Sequence, residues 1–167
     1  RWKWINSNSQ DARKAYYLLR AVDVANPIFA GVTFDMNDVD PNTIVIDPND
    51  PNSAPVIVND IVQWYDPNAA SGYASFINSN DAGNGSALAL RPDNGNLLVA
   101  EWLPGLPFYA TAGQIAGGHR MFFNAGTQEI SGQKTNWGVM NLNDVGTKIF
   151  LNAVEYMTIP VPLPVPL

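Results

Sequence analysis

The chain has 167 residues, 46% of them hydrophobic and 11% aromatic, with a formal net charge of -6 and no cysteine. That much apolar material excludes an intrinsically disordered chain and suffices for one domain with a sizeable core. The acidic balance, with no basic cluster larger than Arg13-Lys14, excludes nucleic acid as an expected partner, and the absence of thiols excludes disulfides, cysteine nucleophiles and cysteine-bound zinc.

Only 14% of residues are charged, against about 25% in an ordinary domain. Polarity therefore comes from Asn and from Gly- and Pro-bearing turns, and the surface is expected to be neutral and polar. No apolar run reaches about 18 residues, so no transmembrane helix is expected. The first residues, Arg1-Trp2-Lys3-Trp4, carry neither a Met nor a signal-peptide pattern, which predicts a chain that begins inside a longer precursor.

Between Ser9 and Val22, the residues Ala12, Ala15, Tyr16, Leu19 and Val22 recur at three- and four-residue spacing behind Ser9, which can cap the first turn, and this predicts a first helix. Asn26-Pro27-Ile28-Phe29-Ala30-Gly31-Val32 then reads as a turn, because Pro restricts φ and Gly tolerates positive φ. From Asp35 to Asp60, aspartates alternate with Asn and Pro around two β-branched runs, Thr43-Ile44-Val45-Ile46 and Val56-Ile57-Val58, predicting two short strands. Ile61-Val62-Gln63-Trp64-Tyr65 either extends the second strand or opens a short helix, and periodicity does not decide so short a run.

Ala87 to Leu90 and Leu97 to Trp102 are apolar runs on either side of Arg91-Pro92-Asp93-Asn94-Gly95-Asn96, whose Asn-Gly step predicts an antiparallel hairpin. His119 to Asn124 lies between Gly117-Gly118 and Gly126 and reads as a buried strand, with its glycines marking close backbone approach. Asn143 is placed to cap a helix with Val145, Ile149, Phe150, Ala153, Val154 and Met157 along its apolar stripe and Lys148, Asn152 and Glu155 outside it. The domain is therefore expected over residues 1–158, and residues 159–167, in which Pro alternates with aliphatics, as an extended tail or linker. No internal repeat is visible.

Leu98-Val99-Ala100-Glu101-Trp102-Leu103-Pro104-Gly105, Gly117-Gly118-His119-Arg120-Met121-Phe122-Phe123, Leu142-Asn143-Asp144-Val145-Gly146 and Phe150-Leu151-Asn152-Ala153-Val154-Glu155-Tyr156 resemble, in that order, the C-terminal half of ThuA-like (trehalose-utilisation-type) domains of the class I glutamine-amidotransferase-like superfamily. The segment from Asn26 to Val32, with its Pro27-Ile28-Phe29-Ala30-Gly31 core, is similar to that family's turn of the pattern hPIf-G. The resemblance implies an α/β, flavodoxin-like three-layer sandwich, incomplete at its N-terminus, with an antiparallel hairpin in its later half. It also implies a sheet edge that a partner segment or self-association would cover. Amidotransferases of that superfamily use a Cys followed by a His and Glu pair; with no Cys and no His-Pro-Glu context at His119, amidotransferase activity is not expected.

Two candidate catalytic residues stand out. His119 and Glu101 would act as base and orienter if they met within hydrogen-bonding distance; otherwise His119 is a structural residue and Glu101 a rim carboxylate. Trp64, Tyr65, Trp102 and Trp137, with Tyr73, offer stacking faces for a carbohydrate, the competing reading being core and loop anchors. Asp38, Asp40, Asn42 and Asp47 offer the hard oxygens that calcium prefers, but without the Gly and bidentate Glu of an EF-hand they read equally as solvated turns. No Gly-x-Ser-x-Gly elbow surrounds Ser71 or Ser131, and Gly83-Asn84-Gly85 lacks the Lys-Ser/Thr of a phosphate loop.

The functional expectation is a non-catalytic structural or interaction domain of an exported, extracellular or surface-associated assembly, partnered by other protein chains or by itself and needing no cofactor. Two alternatives stand beside it: a carbohydrate-active enzyme fragment or carbohydrate-binding module with its catalytic part upstream, and a calcium-stabilised adhesion module.

Overall fold

A computed structural model describes residues 6–7, 18–34, 60–65, 76–77, 79–92, 94–111, 113–124 and 142–161. In chain order these form β1 (Asn6–Ser7), β2 (Leu18–Ala21), a 3-10 turn (Pro27–Phe29), β3 (Ile61–Gln63), β4 (Phe76–Ile77), β5 (Ser86–Leu90), β6 (Leu97–Trp102), β7 (Arg120–Phe123) and α1 (Asp144–Thr158). β1 pairs with β4, and the other strands make a five-stranded sheet in the order β3-β2-β5-β6-β7. Every pairing is antiparallel.

The chain is thus α/β in content, but the described strands do not build a flavodoxin-like three-layer sandwich, which needs parallel strands with helices on both faces. The reason is local at β5 and β6: a six-residue link returns the chain alongside itself, whereas a parallel neighbour needs a crossover of a dozen or more residues. The predicted hairpin is present. Arg91 N donates to Asn96 O, Gly95 N to Arg91 O, and Asn94 Oδ1 accepts from Asn96 N, with Gly95 at φ +70°.

The helix expected over Ser9–Val22 is corrected where it is described: Leu18–Ala21 is a strand, paired with β3 through Leu18 opposite Gln63 and with β5 through Arg20 opposite Leu90. Leu18, Leu19 and Ala21 are all buried. Pairing along both edges and burial of Leu18, Leu19 and Ala21 override a helical spacing of only a few residues. Residues 9–17 and the strands expected at Thr43–Ile46 and Val56–Val58 lie outside the described residues. Ile61–Gln63 resolves as strand.

β6 is buried along its whole length. Leu98 and Val99 join one core cluster with Leu19, Ile28, Phe29, Val62, Trp64, Leu88 and, from α1, Ile149 and Ala153. Leu97, Ala100 and Trp102 join a second with Ala82 and Ala116, with Phe108 and Phe122 packed beside them. The first cluster is covered by α1 and the 3-10 turn, the second by loop residues. β7 is half-buried, not fully buried as expected, because it is the last strand of the described sheet and Arg120 is exposed.

The predicted Asn143 cap forms: its Oδ1 accepts from Gly146 N at 2.9 Å while its Nδ2 donates to Gln63 O. The expected stripe is rotated. Ile149 and Ala153 are buried, but Val154 is exposed, and Asn152 turns inward to donate to Ile28 O and Ala30 O. Close backbone approach falls at other glycines than those expected: a Cβ at Gly117 would meet nothing, and one at Gly118 would reach only the Arg120 guanidinium at 3.6 Å. At Gly146 it would overlap the Trp64 carbonyl, and at Gly85 the Glu101 carbonyl and the Trp102 indole. Gly126 lies outside the described residues.

Candidate functional site: a buried carboxylate and imidazole

The β6–β7 register brings the two candidate catalytic residues together. Glu101 lies opposite Met121, so His119, two residues before Met121, is its diagonal neighbour on the same face. His119 Nε2 and Glu101 Oε2 are 2.6 Å apart. Only 6% of the His119 side chain and 9% of the Glu101 side chain is exposed. An ionised carboxylate has no proton to give, so Nε2 donates and Glu101 accepts.

His119 Nδ1 is buried with no hydrogen-bond partner. With Nε2 donating to the carboxylate, a neutral imidazole carries its free lone pair on Nδ1. This is how an oriented imidazole base is built, with a carboxylate fixing one nitrogen and leaving the other as acceptor.

A third residue completes the cluster. Tyr156, on the last turn of α1, presents its ring edge-on to the imidazole, with centroids 5.2 Å apart at 81°. Its phenol is held above the ordinary tyrosine range by burial first, and then by the charge of Glu101 and hydrogen bonding to that carboxylate. Tyr156 was not among the expected site residues. The signal was present, since it stands three residues after Ala153 and seven after Ile149, on the buried side of the helix.

Among the described residues, the aromatic candidates Trp64, Tyr65 and Trp102 are buried. Trp64 is 1% exposed and packs against Tyr65 and Phe123, while Trp102 is 2% exposed and donates through Nε1 to Ala82 O. Trp64 and Tyr65 belong to the helix-covered cluster and Trp102 to the second one. A stacking surface needs exposed faces on one side; these side chains are spent on core packing. The Tyr65 hydroxyl is buried without a partner, and burial pushes it well above its usual range.

Trp137, Tyr73 and the calcium candidates Asp38, Asp40, Asn42 and Asp47 lie outside the described residues. Among the described residues no group of three or more His, Asp or Glu side chains is placed to hold a metal ion, and no helix is long and apolar enough to cross a membrane. Comparison with protein-family models, with curated proteins and with solved structures finds no match to this chain.

Proposed function

We propose that this chain is a non-catalytic structural or interaction domain of an exported or surface-associated assembly, of the ThuA-like, amidotransferase-like type, with other protein chains or further copies of itself as partners. The order of its motifs supports the family reading, although the antiparallel pairing of the described strands counts against a flavodoxin-like sandwich there. The observation that carries the functional reading is the burial of Glu101 and His119, the residues best equipped for acid–base work, at 9% and 6% exposure. A base meets its substrate within hydrogen-bonding reach, and Nδ1 is closed off. The test is to incubate purified protein with panels of soluble glycans and amides. No turnover is expected; turnover that disappears in both Glu101→Gln and His119→Gln would overturn the reading.

A second reading draws on a specific contact, the 2.6 Å bond between His119 and Glu101. It makes the pair an oriented base that works when uncovered, within an enzyme acting on carbohydrate. The same panels decide between the two.

A further inference from the structure

His119 is the only histidine in the chain, and it meets two neighbours, Glu101 and Tyr156, held with unequal firmness. Glu101 belongs to β6, hydrogen-bonded along both edges to β5 and β7 and buried throughout. Its backbone cannot move away without opening the sheet. Tyr156 belongs to the terminal turn of α1, where Glu155, Thr158 and Ile159 are exposed and the turn is closed by local bonds, from Thr158 Oγ1 to Glu155 O and from Ile159 N to Tyr156 O. Helix ends open at the low end of a protein's stability range.

The anchors that hold the body of α1 lie upstream. Lys148 Nζ donates to Gly31 O at 2.6 Å, and Asn152 donates to Ile28 O and Ala30 O. Fraying of the last turn would leave all three bonds in place and would break the hydrogen bond of the Tyr156 phenol to Glu101. Against the Tyr156 ring lies the imidazole of His119, whose Nδ1 is buried with no hydrogen bond in return.

We propose that Tyr156 and the terminal turn of α1 form a lid over His119. Closed, the lid seals Nδ1 from solvent; open, it presents a Glu101-oriented imidazole to a ligand bearing a hydroxyl or N–H donor. The lid rests on the acid–base reading of this pair and supplies the access that reading lacks.

Because there is one histidine, diethyl pyrocarbonate labelling of the full chain, read by peptide mass, reports on this site alone. Tyr156→Ala is expected to label roughly tenfold faster than the wild type, the factor that about 1.4 kcal/mol represents. Leu151→Ala, on the exposed side of α1, should leave the rate unchanged. Wild-type labelling should also respond only weakly to low urea, since lid opening exposes little surface compared with global unfolding. Labelling at the rate of the unfolded chain, equal rates in wild type and Tyr156→Ala, or a urea dependence matching global unfolding would each overturn the lid. Labelling does not depend on turnover, so a chain that opens in this test but transforms none of the glycans or amides loses the acid–base reading and keeps the lid.

Discussion

The two ends of α1 are held in opposite ways. At the N-terminal end Asn143 satisfies Gly146 N, donates to Gln63 O, and gives its own N–H to Trp64 O, while Gly146 lets the helix backbone rest on the Trp64 carbonyl. Polar groups there are paired and the contact is backbone against backbone. At the C-terminal end Tyr156 leans on a buried carboxylate and on an imidazole that has one nitrogen bonded and one without a partner. The first arrangement serves stability. The second keeps desolvated polar groups in place at a cost, and it is there that chemistry or motion is worth seeking.

The sharpest way to break this comparison is at the C-terminal end. His119→Ala leaves the buried Glu101 carboxylate without its imidazole partner, with the Tyr156 phenol as its remaining donor, and should lower unfolding free energy by about 3 kcal/mol, measured by urea denaturation. Glu101→Leu combined with His119→Phe should cost clearly less than the two single losses summed, because no unpaired charge remains. An additive double variant would show that the pair is not coupled.

Next comes the N-terminal end. Gly146→Ala gains about 1 kcal/mol in helix propensity, but its Cβ would overlap the Trp64 carbonyl, a backbone atom that cannot swing aside. A net loss of about 2 kcal/mol is expected; thermal melting that shows a gain would mean the helix is not seated on the Trp64 carbonyl as described. Asn143→Ala should cost about 1 kcal/mol through the lost cap, with amide exchange rising in the first turn of α1 and not in the last.

The smallest effect is expected at Tyr65, whose hydroxyl has no partner. Tyr65→Phe should be neutral or stabilising by up to about 1 kcal/mol at pH 7. Its folded pKa lies above the ordinary 10.0, so its contribution is complete below pH 10 and declines as the pH rises toward the folded value, where the unfolded chain releases the proton first. Removing the phenol should therefore flatten the alkaline loss of stability in a pH series of melting curves. Tyr156, raised in the same direction, should shift that series the same way in Tyr156→Phe.

What the sequence by itself determined were features set within a few residues. The Asn-Gly step between β5 and β6 makes a tight return because Gly95 takes a positive φ. Asn143 caps α1 because its short side chain reaches an amide three residues on. The absence of thiols and basic clusters was equally plain. The tertiary structure decided whatever depends on partners distant in sequence. Leu18–Ala21 is a strand because β3 and β5 flank it, against a local spacing that suited a helix. Asn152 faces inward because the 3-10 turn offers it two carbonyls more than 120 residues away in sequence. Both members of the pair could be picked out by residue type, but only the β6–β7 register, fixed by ladder hydrogen bonds between strands, set Glu101 beside His119, and only the docking of α1 brought Tyr156 over them.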